Sequence, residues 1–227
     1  MKILIIPDVH GRTFWKPAIK LVDEYDRIIF LGDYLDAYDY KAKRVEEDNF
    51  KEILEFAKEN KEKVVLLLGN HDCVYLLDLL TCSRYNWQKA ADYKKLFVDN
   101  KDLFKLYYII DNYLFSHAGV YTYWMKKCDL KLNDLQDFND PKVIKALQIV
   151  DEYRGGSDEV GSCIWADVRC SENHTFYEGY FNIFGHTQLN YHIKTKEFAC
   201  LDCRQVFELD TITNKITVLF KEEGFLR

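Results

Sequence analysis

The 227 residues carry a formal net charge of -6, with 48% hydrophobic and 30% charged residues, a balance expected of one globular domain spanning 1–227 whose core needs no disulfide staples. An acidic chain gains nothing from counterion release on nucleic acid, and no apolar run is long enough to cross a bilayer. The apolar opening stops at Asp8, too short for a signal peptide, and the seven scattered cysteines read as reduced thiols, so a cytoplasmic protein is expected.

In chain order, residues 3–6 form a short apolar run that predicts a buried strand. Residues 15–25 place Trp15, Ala18, Ile19 and Val22 at helical spacing. Residues 27–31 predict a second strand, 45–60 a helix with Phe50, Ile53, Leu54 and Ala57 on one face, and 64–68 a third strand. This βαβαβ order implies a parallel sheet whose strands are apolar on both faces. Helices are expected over 74–80 and 87–99, and a tight hairpin joins 106–110 to 113–116 through Asp111-Asn112. Asp140-Pro141 suits an N-cap and first position for a helix over 141–153, and the three glycines of 154–161 predict a loop. The tail predicts strands over 180–184, 198–201, 206–209 and 216–220, with a turn at Thr213-Asn214. The expected architecture is α/β, with a second sheet that is mostly antiparallel.

A polar cluster follows each of five strands: Asp8-Val9-His10-Gly11, Gly32-Asp33-Tyr34-Leu35-Asp36, Gly69-Asn70-His71-Asp72, Ser116-His117-Ala118-Gly119 and Gly185-His186-Thr187. Carboxyl ends of strands are where open α/β sheets hold ligands. Carboxylate and imidazole donors favour Mn, Fe or Zn over Mg, and no cysteine joins the set. Cys200 and Cys203 form a CxxC without a second close Cys or His pair, so no structural zinc site is expected there. His174 and His192 stand outside any such cluster and read as incidental.

The ordered series DxH, GDxxD, GNHD, HAG and GHT resembles the calcineurin-like metallophosphoesterases. It is most similar to their serine/threonine protein phosphatase and symmetrical dinucleoside tetraphosphatase branch, and the likeness runs from Asp8 to about Asp202. The resemblance implies a sandwich of two mixed β-sheets flanked by helices. It implies two divalent metal ions about 3.5–4 Å apart that activate a water to attack a phosphoester. Asp8 and His10 would ligate the first ion, Asp33 would bridge both, and Asn70, His117 and His186 would hold the second. His71 would stay free of metal as the general acid, oriented by Asp36. Asp72 and Asp202 would support the site structurally.

Two departures bear on substrate. The protein phosphatases carry phosphate-gripping arginines after the second Asp of GDxxD and before GNH, where this chain has Ala37 and Leu68. Replacement cations are sought in Arg169, beside the Trp165-Ala166-Asp167 stretch, and then in Arg12, directly after the DxH-Gly turn. Gln188 stands where many phosphodiesterases of the superfamily place a second His, and Asp36 stands where the purple acid phosphatases need a tyrosine. The leading expectation is a protein phosphatase-like phosphomonoesterase, with a dinucleoside polyphosphate or other nucleotide hydrolase as the alternative. Its partner is then a phosphoprotein or a nucleotide. A silent binding module is disfavoured because every inferred ligand is present. A walled pocket with stacking aromatics would favour a nucleotide, and Tyr34, Tyr38, Tyr40, Tyr121, Tyr123 and Trp124 lie next to the motif loops.

Overall fold

A computed structural model describes residues 1–80 and 82–221. β1 (Lys2–Ile6) leads through the short α1 (Lys16–Ile19) to β2 (Arg27–Phe30), α2 (Tyr40–Glu59) and β3 (Val64–Leu67). α3 (Asn70–Leu76), α4 (Ala90–Asp99), β4 (Phe104–Lys105), β5 (Tyr107–Ile110) and β6 (Tyr113–Ser116) follow. α5 (Thr122–Lys127), α6 (Pro141–Leu147), β7 (Phe181–Phe184), β8 (Ile193–Lys194), β9 (Phe198–Cys200), β10 (Gln205–Asp210) and β11 (Lys215–Lys221) complete the order.

The strands form two mixed sheets, one ordered β11-β10-β1-β2-β3-β4 and the other β5-β6-β7-β9-β8. β1, β2 and β3 pair in parallel, with Ile6 opposite Phe30 and Phe30 opposite Leu66, so their carboxyl ends finish on one rim. The two-residue period of the strands divides the core. Ile3, Ile5, Ile29, Leu31, Val65 and Leu67 point one way and pack against Phe115, Ile183 and Leu201 between the sheets. Leu4, Ile6, Ile28, Phe30 and Leu66 point the other way, under Phe50, Ile53 and Leu54 of α2 and Phe97 of α4. The near-continuous apolar content of these strands follows from burial on both faces.

The tail completes the first sheet, and two expectations are corrected. The tail strands β10 and β11 join the first sheet, β10 lying antiparallel to β1 with Lys2 opposite Asp210. This covers the edge that β1, apolar and buried from Ile3 to Ile6, would otherwise expose. The second sheet is not mostly antiparallel, since β6–β7 and β7–β9 run parallel while β5–β6 and β8–β9 run antiparallel. The helix expected over 15–25 contracts to α1 and a 3-10 turn at Val22–Glu24, because the loop after β1 takes up most of the crossover.

α2 starts at Tyr40, ahead of its apolar stripe, with the Asp39 side chain accepting the Ala42 N–H. Its first turns bury the polar Glu46 and Asn49 beside the small Ala42. Glu46 accepts the Ala37 N–H and the Tyr93 hydroxyl, and Asn49 donates to the Arg12 carbonyl and accepts from the Trp15 indole. The polar half of α2 therefore clamps the loops that leave β1 and β2, which are the loops of the candidate site. No described helix is long and apolar enough to cross a membrane.

Candidate metal centre

All five motif loops converge where the two sheets meet at their carboxyl ends. His10, Asp33, Asp36 and His186 all adopt the left-handed backbone region, with φ of 44°, 54°, 59° and 61°. Such angles are uncommon outside glycine, and four in one cluster mark a backbone held by its surroundings to aim side chains inward. Two glycines permit the close approach. A Cβ on Gly69 would lie 2.1 Å from Asp33 Oδ1, and one on Gly185 would lie 2.0 Å from Asp8 Oδ2. The buried Asp72 carboxylate ties the loops together, accepting the N–H groups of Asp33 (2.7 Å), Gly69 (2.8 Å) and Tyr34 (3.0 Å).

The donor atoms face one another. His10 Nδ1 lies 2.8 Å from the Leu35 carbonyl and His117 Nδ1 lies 2.7 Å from the Leu31 carbonyl. A carbonyl only accepts, so each Nδ1 carries a proton and each ring turns its Nε2 inward. Asp33 Oδ2 sits between them, 3.4 Å from both Nε2 atoms. His117 Nε2 is also 3.1 Å from Asn70 Oδ1 and 3.1 Å from His186 Nδ1. His186 Nε2 is buried without a hydrogen-bond partner. A carboxylate oxygen, an amide oxygen and imidazole nitrogens thus crowd one space. The cluster is a cage able to hold a cation, and the donor set fits a borderline divalent metal.

The ligand atoms of Asp33, His117 and His186 lie within 4.8 Å of one another, and so do those of His10, Asp33 and His71. Asp33 belongs to both groups. Asp8 lies alongside, its two carboxylate oxygens accepting the His186 N–H at 3.0 and 3.1 Å. Burial pushes the Asp8 carboxyl up to about 6, with the negative Asp33 adding to the rise. Burial, reinforced for His186 by the Arg154 cation, holds His10 and His186 well below the usual imidazole range, in the neutral state that ligation requires. Burial opposes charge on His117 too, but Asp33 and Asp8 outweigh it and raise the pKa to about 9. Asp33 feels the same burial, yet His117 and His71 keep its carboxyl well below the ordinary range.

His71 is buried beside this cage, its ring 5.0 Å from the His10 ring and perpendicular to it. Its Nδ1 donates to Asp36 Oδ2 at 2.8 Å, and the other Asp36 oxygen accepts the Tyr75 hydroxyl at 2.6 Å. Burial disfavours the imidazolium, but Asp33 and the Asp36 hydrogen bond prevail and raise the His71 pKa well above its usual value.

A cavity of about 340 Å³ opens over the cage. His10, Asp33, Asn70, His71 and His186 line its floor, and His117 is buried beneath. Of the two arginines singled out from sequence, Arg12 lines the cavity with its Nη2 on the Asp8 carbonyl at 3.0 Å and its buried Nε without a hydrogen-bond partner. Arg169 is not among the lining residues. Its guanidinium forks onto Asp167, at 2.8 and 3.1 Å, and lies 4.3 Å above the Tyr153 ring, because Asp167 caps the turn that carries it. Arg154 lines the cavity instead, its Nη2 on the His186 carbonyl and Thr187 hydroxyl and its Nε paired with Asp167 at 2.9 Å. The Arg-Gly-Gly sequence at 154–156 was the available signal, a cation at the mouth of a glycine loop. Among the six aromatics near the motifs, Tyr38 alone lines the cavity, while Tyr34, Tyr121 and Trp124 are wholly buried. Trp165 joins Tyr38 as a wall, its ring 5.9 Å from His186.

The family model for the calcineurin-like phosphoesterases matches residues 1–188. Among solved structures, the chain is similar to a cold-active protein-tyrosine phosphatase of a psychrophilic Shewanella species. That likeness has a TM-score of 0.61 at 17% identity, over 97% of this chain and 80% of the other. A protein serine/threonine phosphatase from Saccharomyces cerevisiae, described as similar to human PP5, aligns with a TM-score of 0.55 at 14% identity over 100% and 81% of the two chains. A metallophosphoesterase from Sphaerobacter thermophilus aligns with a TM-score of 0.51 at 13% identity over 98% and 89%. No curated protein matches in sequence.

Proposed function

The chain belongs to the calcineurin-like phosphoesterase family, and we propose that it is a dinuclear metal-dependent phosphatase that hydrolyses phosphomonoesters. The observation that carries this reading is the Asp33 carboxylate, whose Oδ2 lies 3.4 Å from both His10 Nε2 and His117 Nε2, with the His71–Asp36 pair at its border. Asp8, His10, Asp33, Asn70, His117 and His186 would hold the ions. Bound there, divalent metal supplies Lewis acidity, lowering the pKa of a water toward about 7 and neutralising phosphoryl charge.

The rest of the chemistry belongs to side chains. His71 is cationic and donates its Nε2 proton to the oxygen that leaves phosphorus, becoming neutral as it does so. Asp36 accepts from Nδ1, which fixes the ring and stabilises its charge. Tyr75 holds the second Asp36 oxygen and so stops the carboxylate from turning away. Arg12 and Arg154 present guanidinium groups to the phosphoryl oxygens, in place of the arginines absent at Ala37 and Leu68.

Phosphoprotein is the leading substrate class, in line with the sequence reading. A nucleotide substrate is the second reading, supported by Tyr38 and Trp165, which give the cavity two aromatic walls. The deciding assay is phosphate release by metal-loaded enzyme from phosphoserine and phosphotyrosine peptides, a dinucleoside tetraphosphate and a generic aryl phosphate. The leading reading expects the peptides to give the highest kcat/KM. A preference for the dinucleotide moves the assignment to the alternative, and no release from any of them refutes both.

A further inference from the structure

Behind the cage, on the Nδ1 side of His71, lies a second group of donors. Cys82 Sγ is 3.0 Å from His71 Nδ1 and 3.8 Å from Asp36 Oδ2. One ligand atom from each of Asp36, His71 and Cys82 falls within 4.8 Å of the others. Asp36 and His71 are buried, while Cys82 is half-buried and lines the cavity, so an ion can enter from solvent. Five of the other six cysteines are buried, and among the described residues none of the six joins such a group.

We propose that Asp36, His71 and Cys82 form a separate, inhibitory zinc site, which takes a soft divalent ion through one thiolate, one imidazole nitrogen and one carboxylate oxygen. The donor types decide the ion. Thiolate with imidazole selects zinc, whereas magnesium and manganese prefer all-oxygen or mixed oxygen and imidazole shells. Tetrahedral bonds of about 2.1 Å to N or O and 2.3 Å to S require donor separations of about 3.4–3.6 Å. The Sγ–Oδ2 separation of 3.8 Å already allows this, and the two contacts of Nδ1 need only widen by roughly half an ångström. Binding expels two protons, one from the Cys82 thiol and one from His71 Nδ1. The ring then keeps its Nε2–H, but Asp36 no longer accepts from Nδ1, so the pair that orients the proposed acid is broken. This inhibitory consequence rests on the phosphatase reading above; the binding itself does not.

The test uses the whole chain with cobalt and zinc as probes. The metal cage contains no thiolate, so a thiolate-to-cobalt charge-transfer band reports this site alone. The band is expected in the wild-type protein and absent in Cys82→Ser. Zinc, unlike magnesium, should protect Cys82 from alkylation in the wild type, read by peptide mass spectrometry. Each protein's hydrolysis of an alkyl phosphate is compared with its own rate before excess zinc. Half-inhibition of Cys82→Ser should need at least about 10-fold more zinc, since a lost ligand costs no less than a lost ligand partner. No band in the wild type, or an equal band in Cys82→Ser, overturns the proposal. Should Cys82→Ser fail to fold, alkylation of wild-type Cys82 undiminished by zinc overturns it alone. A band and protection in a chain that releases no phosphate would uphold the zinc site and refute the phosphatase reading instead.

Discussion

Replacing His71 by Asn would separate the proposed acid catalysis from metal binding. The imidazole is buried, its Nδ1 is engaged by Asp36 at 2.8 Å, and its cationic state is maintained by Asp33 and Asp36. The amide of His71→Asn would retain an N–H for Asp36, which also keeps its bond from Tyr75 at 2.6 Å, so the carboxylate loses its cation but stays hydrogen-bonded, and the fold should survive with reduced stability. What disappears is the proton for the leaving group. General acid catalysis contributes roughly 10²–10⁴-fold, or about 2.7–5.5 kcal/mol of barrier. An alkoxide leaving from phosphoserine needs that proton, whereas a nitrophenolate departs without it. The assay is kcat on both substrate types with metal content measured in the same samples. The expected result is a fall within that range on the alkyl ester, a fall below about tenfold on nitrophenyl phosphate, and unchanged metal. Loss of a metal ion, or equal slowing of both substrates, would refute the assignment of His71 as acid.

Asp36→Asn should show a weaker form of the same bias, because one acceptor oxygen must now serve both His71 and Tyr75. In the wild type, kcat/KM on alkyl phosphates should hold through neutral pH and fall as pH rises through the raised pKa of His71, since the acid must be protonated; a rise with pH in that range would contradict it. The ion pair's stabilisation has the same sign, being fully present below about 6.5 and lost as pH climbs through the folded value, which urea titrations at several pH values would read. Arg154→Ala should raise KM by about tenfold or more while Arg169→Ala stays within about twofold, because only Arg154 lines the cavity; steady-state kinetics reversing that order would contradict the account. Gly185→Ala should lower metal affinity, as its Cβ would meet Asp8 Oδ2 at 2.0 Å, and titration with Mn²⁺ checks this.

Much of this was legible in the residues. Strands buried on both faces read as unbroken apolar runs, so β1, β2 and β3 stood out, and a polar cluster after each is hard to mistake for turn chemistry alone. What escaped was set by contacts remote in sequence. The first turns of α2 bury Glu46 and Asn49, which have no apolar period to detect. β10 and β11 look like any β tail, and only the exposed flank of β1 decides which sheet they join. Arg169 and Arg154 both pair with Asp167, and the direction each guanidinium takes afterwards depends on Tyr153 and on the His186 carbonyl. Cys82 lies eleven residues from His71 in a loop without a motif, and its approach to Nδ1 is purely tertiary.

The central claim is that Asp33 joins two metal ions within one cage. Anomalous diffraction from crystals of the Mn²⁺-loaded chain tests it most directly. Two peaks per chain are expected, one between Asp33 and His10 and one among Asp33, Asn70, His117 and His186, with both lost or depleted in Asp33→Asn. A single peak, or peaks that persist at full height in Asp33→Asn, would contradict it.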